Sequence, residues 1–290
     1  MHSAQNELND GGRLMTQNST AENSASHHKV PTEATQGVGP IEFTVSNRYD
    51  AAVMMVRLAQ ERVGRHVHLA NAYTVALADK SAKYREVLRA PAVNFPDGKP
   101  IAWVSAMSRQ SPRLTQVRGP QLFLDTFDAG RTAGLKHFLL GSTPEVLTAL
   151  ESNLKAKFPN ILIVGTESPP FRPLVAKEID EQDKRIQETG AHIVWVGLGT
   201  PKQDFEAERL ARKLPVLAVA IGAAFDFAAG TVREAPAWMT RCGLEWVFRL
   251  CCEPRRLWKR YLFGNARFLA STLRWSRARR MREPQGGQRQ

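Results

Sequence analysis

The 290-residue chain holds only three cysteines, Cys242, Cys251 and Cys252, crowded into one stretch. So few, and odd in number, they exclude a disulfide framework and do not have the spacing of a zinc site. A reducing cytosol fits them best. No run of 18 or more apolar residues occurs; the longest candidate, Leu214 to Phe225, contains Pro215 and Gly222 and stops at Asp226, which excludes an ordinary membrane span. The basic, apolar and small-residue succession of a secretory signal is missing as well. Residues 1–39 are instead a mixture of Ser, Asn, Gln, Thr, Glu and His, read as a disordered polar leader. There is no Walker loop, no G-x-G-x-x-G after a strand, no H-E-x-x-H and no G-x-S-x-G. Nucleotide hydrolysis, dehydrogenase and serine-hydrolase readings therefore lose their usual support.

What is present has the composition of a globular protein, 43% hydrophobic and 23% charged, long enough for one large domain or two small ones. Forty basic against twenty-eight acidic side chains give +12, which points to a phosphate-bearing substrate, a nucleic acid or a membrane surface. The excess is uneven. From Thr240 to Gln290 twelve arginines and one lysine face Glu245, Glu253 and Glu283, so most of the net charge sits in the last fifth of the chain. Leu244, Val247, Phe248 and Cys251 repeat there at helical spacing, and Trp246, Trp258, Phe263, Phe268 and Trp275 interleave with the arginines. Residues 237–290 thus read as a basic amphipathic helical appendage with a disordered end, suited to anionic lipid headgroups. The same composition suits a diphosphate clamp or RNA.

Between these ends, short apolar runs alternate with amphipathic ones: Val67 to Ala70, Gly134 to Leu140, Ile161 to Val164, Ile193 to Val196 and Val216 to Ile221 as strands, with helices through Leu77, Pro144 to Phe158, Leu174 to Thr189 and Lys202 to Leu214. A further helix covers Ala51 to Arg62, and order begins at Ile41. Such βα repetition predicts an α/β core over residues 40–236 built on a mostly parallel sheet flanked by helices. At two junctions, Gly141 to Glu145 and Gly197 to Gln203, glycine permits a tight turn, Thr143 or Thr200 is placed to cap a helix, and Pro144 or Pro201 takes its first position. Helix starts of this kind attract phosphate, although the same chemistry is common as plain turn structure. Asn71, the Phe95-Pro96-Asp97-Gly98 turn, Gln203 and Asp226 fall at predicted strand ends, where a doubly wound sheet opens its ligand crevice. Asp97 reads either as a turn former or as a carboxylate presented to a substrate hydroxyl. His66, His68, His137 and His192 read as packing or surface residues, Asp226 as holding the sheet end, Glu245 and Trp246 as fold determinants, and Cys251 and Cys252 as apolar packing.

The order and spacing of Asn71-Ala72, Pro96-Asp97-Gly98, Val117-Arg118-Gly119, Gly141 to Glu145, Gly197 to Gln203, Gly222 to Asp226, Gly243 to Trp246, Glu253 to Arg256 and Gly264-Asn265 resembles the WecG/TagA/CpsF glycosyltransferases of bacterial surface-polysaccharide synthesis, from roughly Ile41 to Leu269. The resemblance implies a Rossmann-like core and an inverting transfer of a hexose, N-acetylhexosamine or uronic-acid sugar from a UDP-sugar to a polyprenyl-diphosphate-linked saccharide. It places the enzyme at the inner face of the cell membrane as a peripheral protein, with no metal and no cofactor. On that likeness Asp97 is the catalytic base, assisted by Asn71, Arg249 and Arg256, the two arginines being seven residues apart and so on one helical face. Gln203, Arg118, Gly141, Thr200, Lys202, Asp226, Arg255 and Arg260 are its substrate-binding set. Leu69, Gln116 and Gln121 stand where many relatives have threonine, arginine and an acidic residue; Thr74 is a candidate to replace the lost hydroxyl. The partners implied are the UDP-sugar, the lipid-linked acceptor and an anionic membrane surface; no nucleic acid is expected, and a homo-oligomer is left open. The rival readings are a nucleic-acid-binding protein and a non-catalytic scaffold of an envelope-synthesis complex.

Overall fold

A computed structural model describes residues 34–89, 91–108 and 111–282, without the side chains of Arg256, Lys259, Arg260, Arg280 and Arg282. The first described elements are β1 (Thr35–Val38) and β2 (Ile41–Thr44), an antiparallel pair that turns at Gly39, where φ is +59°. The expected leader therefore ends earlier than residue 39; its residues 1–33 lie outside those described. Polar composition concealed β1 because its Gln36 is buried but satisfied: its amide donates to Ser108 Oγ at 2.8 Å and accepts from Ser105 Oγ at 2.6 Å.

Helix α1 (Arg48–Gln60) follows, then β3 (Arg65–Ala70), α2 (Ala72–Lys80), α3 (Ala82–Val87), β4 (Val93–Pro96), α4 (Lys99–Met107), α5 (Gly119–Gly130), β5 (Lys136–Gly141), α6 (Pro144–Lys157), β6 (Leu162–Glu167), α7 (Ala176–Glu188), β7 (Ile193–Gly197), α8 (Lys202–Lys213) and β8 (Leu217–Ala220). Strands β3 to β8 form one parallel, Rossmann-like sheet in the order β4-β3-β8-β7-β5-β6. The α/β expectation is met, and the reason is visible in the strands. Ile193, Val194, Trp195 and Val196 of β7 are all fully buried, since helices cover both faces of a parallel sheet. Ile193 and Trp195 enter the core shared with Met55, Phe123 and Phe127, while Val194 and Val196 enter the one shared with Ile186 and Leu210.

The chain then forms α9 (Ala224–Ala228), α10 (Ala237–Arg241), α11 (Glu245–Cys252) and the long α12 (Pro254–Arg282). The break between α11 and α12 corrects one expectation. Glu253 leaves the helical region at φ −133°, ψ 56°, because the residue before a proline is pushed out of it. Arg249 and Arg256 lie on different helices, and their spacing of seven defines no common face. Nor is the appendage only a surface element: Leu257 and Phe268 are 2% and 3% exposed, and Phe268 shares a core cluster with Phe43, Val75 and Ile101. Asp79 at the end of α2 accepts from Trp275 Nε1 at 2.9 Å and pairs with Arg274, and Arg279 bonds Glu42 at 2.8 Å. Cys251 and Cys252 are exposed rather than packed, as is Cys242, since no residue of α11 is fully buried.

Two of the histidines do more than fill space. His66 Nδ1 lies 2.8 Å from His68 Nε2, His68 Nδ1 lies 2.9 Å from Asp204 Oδ1, and the Tyr84 hydroxyl donates to Asp204 Oδ2 at 2.8 Å. All four residues are buried, so this chain ties α8 and α3 to β3. Burial, with the neighbouring His68 and arginines, pushes the His66 pKa down to about 3, which keeps that ring neutral. Removing the carboxylate leaves the buried His68 ring and Tyr84 hydroxyl without their hydrogen-bond partner. Asp204→Ala is therefore expected to cost about 2–5 kcal/mol in urea denaturation, whereas Lys155→Ala, which breaks an exposed i,i+4 pair with Glu151, costs about 0.5 kcal/mol or less.

Candidate active site beneath the C-terminal helices

The carboxyl ends of β3 and β4 place Asn71 and Asp97 side by side: β3 pairs with β4 up to Ala70 and Pro96, and the Asp97 N–H donates to Ala70 O at 2.9 Å. Asp97 Oδ1 accepts the Gly119 N–H at 3.1 Å, at the start of α5. A pocket of about 140 Å³ opens over the carboxylate. Its floor is Asn71, Asp97 and Lys99, and Gln116 joins them from the irregular segment that leads into α5. Its other wall is the appendage, through Glu245, Trp246 and Arg249 of α11 and Tyr261 and Asn265 of α12.

Enclosure has an electrostatic consequence. Desolvation beneath the appendage, with a further contribution from Glu245, outweighs the Gly119 hydrogen bond and the nearby Arg118 and Arg249, and raises the Asp97 pKa to about 6. The carboxylate is half-buried, still open to the pocket. A group tuned in this way ionises near neutrality and takes up a proton readily.

Arg118 is placed to hold this arrangement closed. Its guanidinium donates to both oxygens of Glu245, at 3.1 and 2.9 Å, and pairs with Glu234 at 2.9 Å. The two carboxylates outweigh desolvation and raise its pKa. Phe227 lies beneath both Arg118 and Arg249, with ring centroid distances of 5.8 and 5.4 Å. Arg118 thus bonds α5 to α11, and its donors are engaged by the two protein carboxylates. Glu245, expected to be a fold determinant, is one and also borders the pocket; Trp246 lines it at 37% exposure. Arg249 turns its side chain into the pocket wall, and its Nε is buried without a hydrogen-bond partner among the described residues.

The remaining expected site residues separate into two groups. Gln203, Gly141 and Thr200 gather at the ends of β5, β7 and β8 rather than in the Asp97 pocket. Gly141 adopts φ +125°, and a Cβ there would lie 2.5 Å from Gly197 O, so only glycine permits the two strand ends to meet. Gln203 is buried and accepts the Gly199 N–H at 3.0 Å through Oε1. It, not Thr200, closes the helix start: the N-cap of α8 is Pro201, one position later than expected, and no side chain caps it. At α6 the expectation holds, since Thr143 accepts the Val146 N–H at 3.4 Å and Pro144 follows. Lys202 is exposed, and Asp226 offers its carbonyl to Thr231 and Val232. The two groups adjoin: a Cβ at Gly119 would lie 3.8 Å from Ile221 O, and one at Gly222 would lie 3.6 Å from the Gln203 amide. Arg255 is exposed and does not line the pocket; the side chains of Arg256 and Arg260 lie outside those described.

Asn71 caps α2, its Oδ1 accepting from the N–H groups of Tyr73 and Thr74 at 3.0 and 3.3 Å, while Thr74 Oγ1 accepts the Asn71 N–H at 3.2 Å. Thr74 is therefore consumed by the cap and is 2% exposed; it does not replace the hydroxyl missing at Leu69. Sequence reasoning missed Lys99, Gln116 and Tyr261 as pocket residues. For Lys99 a signal existed in its position two residues after Asp97.

The family model described as "Glycosyl transferase WecG/TagA/CpsF family" matches residues 38–282.

Two outcomes follow from this geometry. A carboxyl whose folded pKa is raised contributes stability below its unfolded pKa and loses it as pH rises through about 6. Asp97→Asn is therefore expected to raise the melting temperature at pH 8 and to leave it nearly unchanged at pH 4, as differential scanning fluorimetry at the two pH values reads. Arg118→Met leaves Glu234 and Glu245 facing each other, and is expected to cost about 2 kcal/mol and to speed tryptic cleavage between α10 and α12.

Proposed function

The chain belongs to the WecG/TagA/CpsF family and is a glycosyltransferase, and from that premise we propose that it is an inverting enzyme moving one sugar from a UDP-sugar to a polyprenyl-diphosphate-linked saccharide at a membrane surface. The observation that carries the reading is the Asp97 carboxylate at the floor of a pocket roofed by Arg249 and the aromatic residues of the appendage. Asp97 takes the proton of the acceptor hydroxyl as its oxygen bonds to the anomeric carbon; the bond from that carbon to the UDP oxygen breaks, and its electron pair leaves with UDP. Attack opposite the leaving group inverts the configuration. Arg249, with its unpartnered Nε, offsets the charge gathering on the departing diphosphate, an effect that is commonly the largest catalytic contribution. The Gly199 turn, Gln203 and the helix start at Thr143 supply the neighbouring surface for the nucleotide.

The membrane half of the reading rests on α12. Trp258, Leu262, Leu269 and Leu273 are 43–63% exposed and fall at i, i+4, i+11 and i+15, one stripe on the helix. Among the described residues no helix is long and apolar enough to cross a membrane, so the stripe is read as an interfacial contact, with the surrounding arginines on lipid phosphates. Because Leu257 and Phe268 are part of the core, deleting the appendage would unfold more than it removes. Surface substitutions test the contact instead.

Full-length protein incubated with a panel of UDP-sugars and polyprenyl-diphosphate-linked acceptors is expected to release UDP in the presence of a chelator, with kcat/KM rising with pH through about 6 as Asp97 ionises. Asp97→Asn should lower kcat by a factor of about 10²–10⁴ while remaining folded; full activity in that variant removes the base. Trp258→Ser with Leu262→Ser should weaken flotation with phosphatidylglycerol vesicles without changing the melting temperature. Salt-sensitive binding to RNA with no UDP release would favour the nucleic-acid reading.

A further inference from the structure

Helix α4 stands at the edge of the Asp97 pocket and has no part in the reaction derived above. Its first residue, Lys99, lines that pocket together with Arg249. Trp103 and Met107 follow at i+4 and i+8, on the same face of the helix as Lys99, and are 48% and 76% exposed. The opposite face, Ile101 and Ser105, is fully buried, so the exposed positions are not a side effect of a loosely docked helix. Gly243, at the turn between α10 and α11, lies directly on this stripe: a Cβ there would come within 2.7 Å of the Trp103 ring and 3.0 Å of Lys99 Cβ. The stripe therefore leaves the pocket where the appendage touches the core, and it runs outward for about 12 Å.

We propose that α4 is the docking track for the lipid part of the acceptor, with Lys99 on the diphosphate and Trp103 and Met107 against the first prenyl units. The inference rests on the lipid-linked acceptor of the proposed function and locates it. Charge supports the inner end: the start of α4 has no side-chain cap at Gly98, so although Pro100 carries no N–H, the positive end of the helix and the Lys99 ammonium together favour an anion there. Size supports the outer end. A short stripe one side chain wide fits a single prenyl chain, whereas a bilayer is met by the longer stripe on α12. Continuity supports the whole, since Lys99 lines the pocket of the catalytic carboxylate and Trp103 packs at its rim. The diphosphate would then be held close to Asp97 while the chain leads away from it, as a short lipid-linked saccharide requires.

The test is calorimetric titration of the full-length protein with farnesyl diphosphate and, separately, inorganic diphosphate. The wild type is expected to bind farnesyl diphosphate at least about tenfold tighter. Trp103→Ser with Met107→Ser should bind the two ligands equally and keep wild-type affinity for phosphatidylglycerol vesicles, and Lys99→Ala should weaken both ligands by about tenfold. The proposal is overturned by a wild type with no prenyl preference, by a double variant that keeps the preference, or by one that loses vesicle binding in parallel, which would make α4 a bilayer contact. A Lys99→Ala variant that binds inorganic diphosphate normally removes Lys99 from the track. Failure of the track and failure of the reaction separate cleanly. A protein that prefers farnesyl diphosphate but releases no UDP from any sugar donor keeps the track and loses the reaction, and one that transfers sugar without prenyl preference does the reverse.

Discussion

The Arg118 guanidinium, fixed between Glu245 and Glu234, is the interaction on which the site depends. It joins the start of α5, which also donates a backbone N–H to Asp97, to the helix that roofs the pocket. Without it, α11 has few buried apolar groups to hold it in place: none of its residues is fully buried. A paired arginine suits this task, since its planar fork fixes orientation as well as distance. The roof in turn shields Asp97 from part of the solvent, and that shielding is the main reason its proton affinity is raised.

This arrangement costs stability and leaves a carboxylate that holds its proton up to a higher pH. A carboxylate raised to about 6 is less stable at neutral pH than the same residue in water, and the protein holds it there with a hydrogen bond from Gly119 and two nearby cations. Asn71 serves two ends in the same way, with its carbonyl oxygen locking the first turn of α2 beside the pocket. That turn is rigid because it is capped, and α2 is fixed at its far end by the contacts of Asp79 with Arg274 and Trp275. The pocket wall is thus braced at both ends of one helix.

The appendage combines two kinds of surface on one element. Leu257, Phe268 and Trp275 face the core, and a neighbouring stripe of exposed leucines and Trp258 stays open. A basic, aromatic segment can look wholly interfacial in composition while one of its faces is needed to complete the fold, because a long helix presents separate faces at the same average hydrophobicity.

The amino-acid sequence alone determined five of the six parallel strands and the helices that alternate with four of them, the placing of Asn71 and Asp97 at strand ends and the basic tail, since periodicity, caps and turns are local and their physics is written in neighbouring residues; β4, α4 and α5, short or without clear periodicity, are not legible in it. The β1 strand escaped because its buried polar side chain is satisfied by residues about 70 positions away. Only the tertiary structure decided that Arg118 serves Glu245, 127 residues distant, that Gln203 takes the place of Thr200 at a turn, that Thr74 is spent on a cap, and that Lys99 stands in the pocket. In each case the deciding partner comes from a remote segment, and hydrogen bonds and burial between remote segments leave no repeat in the chain for a reader to find.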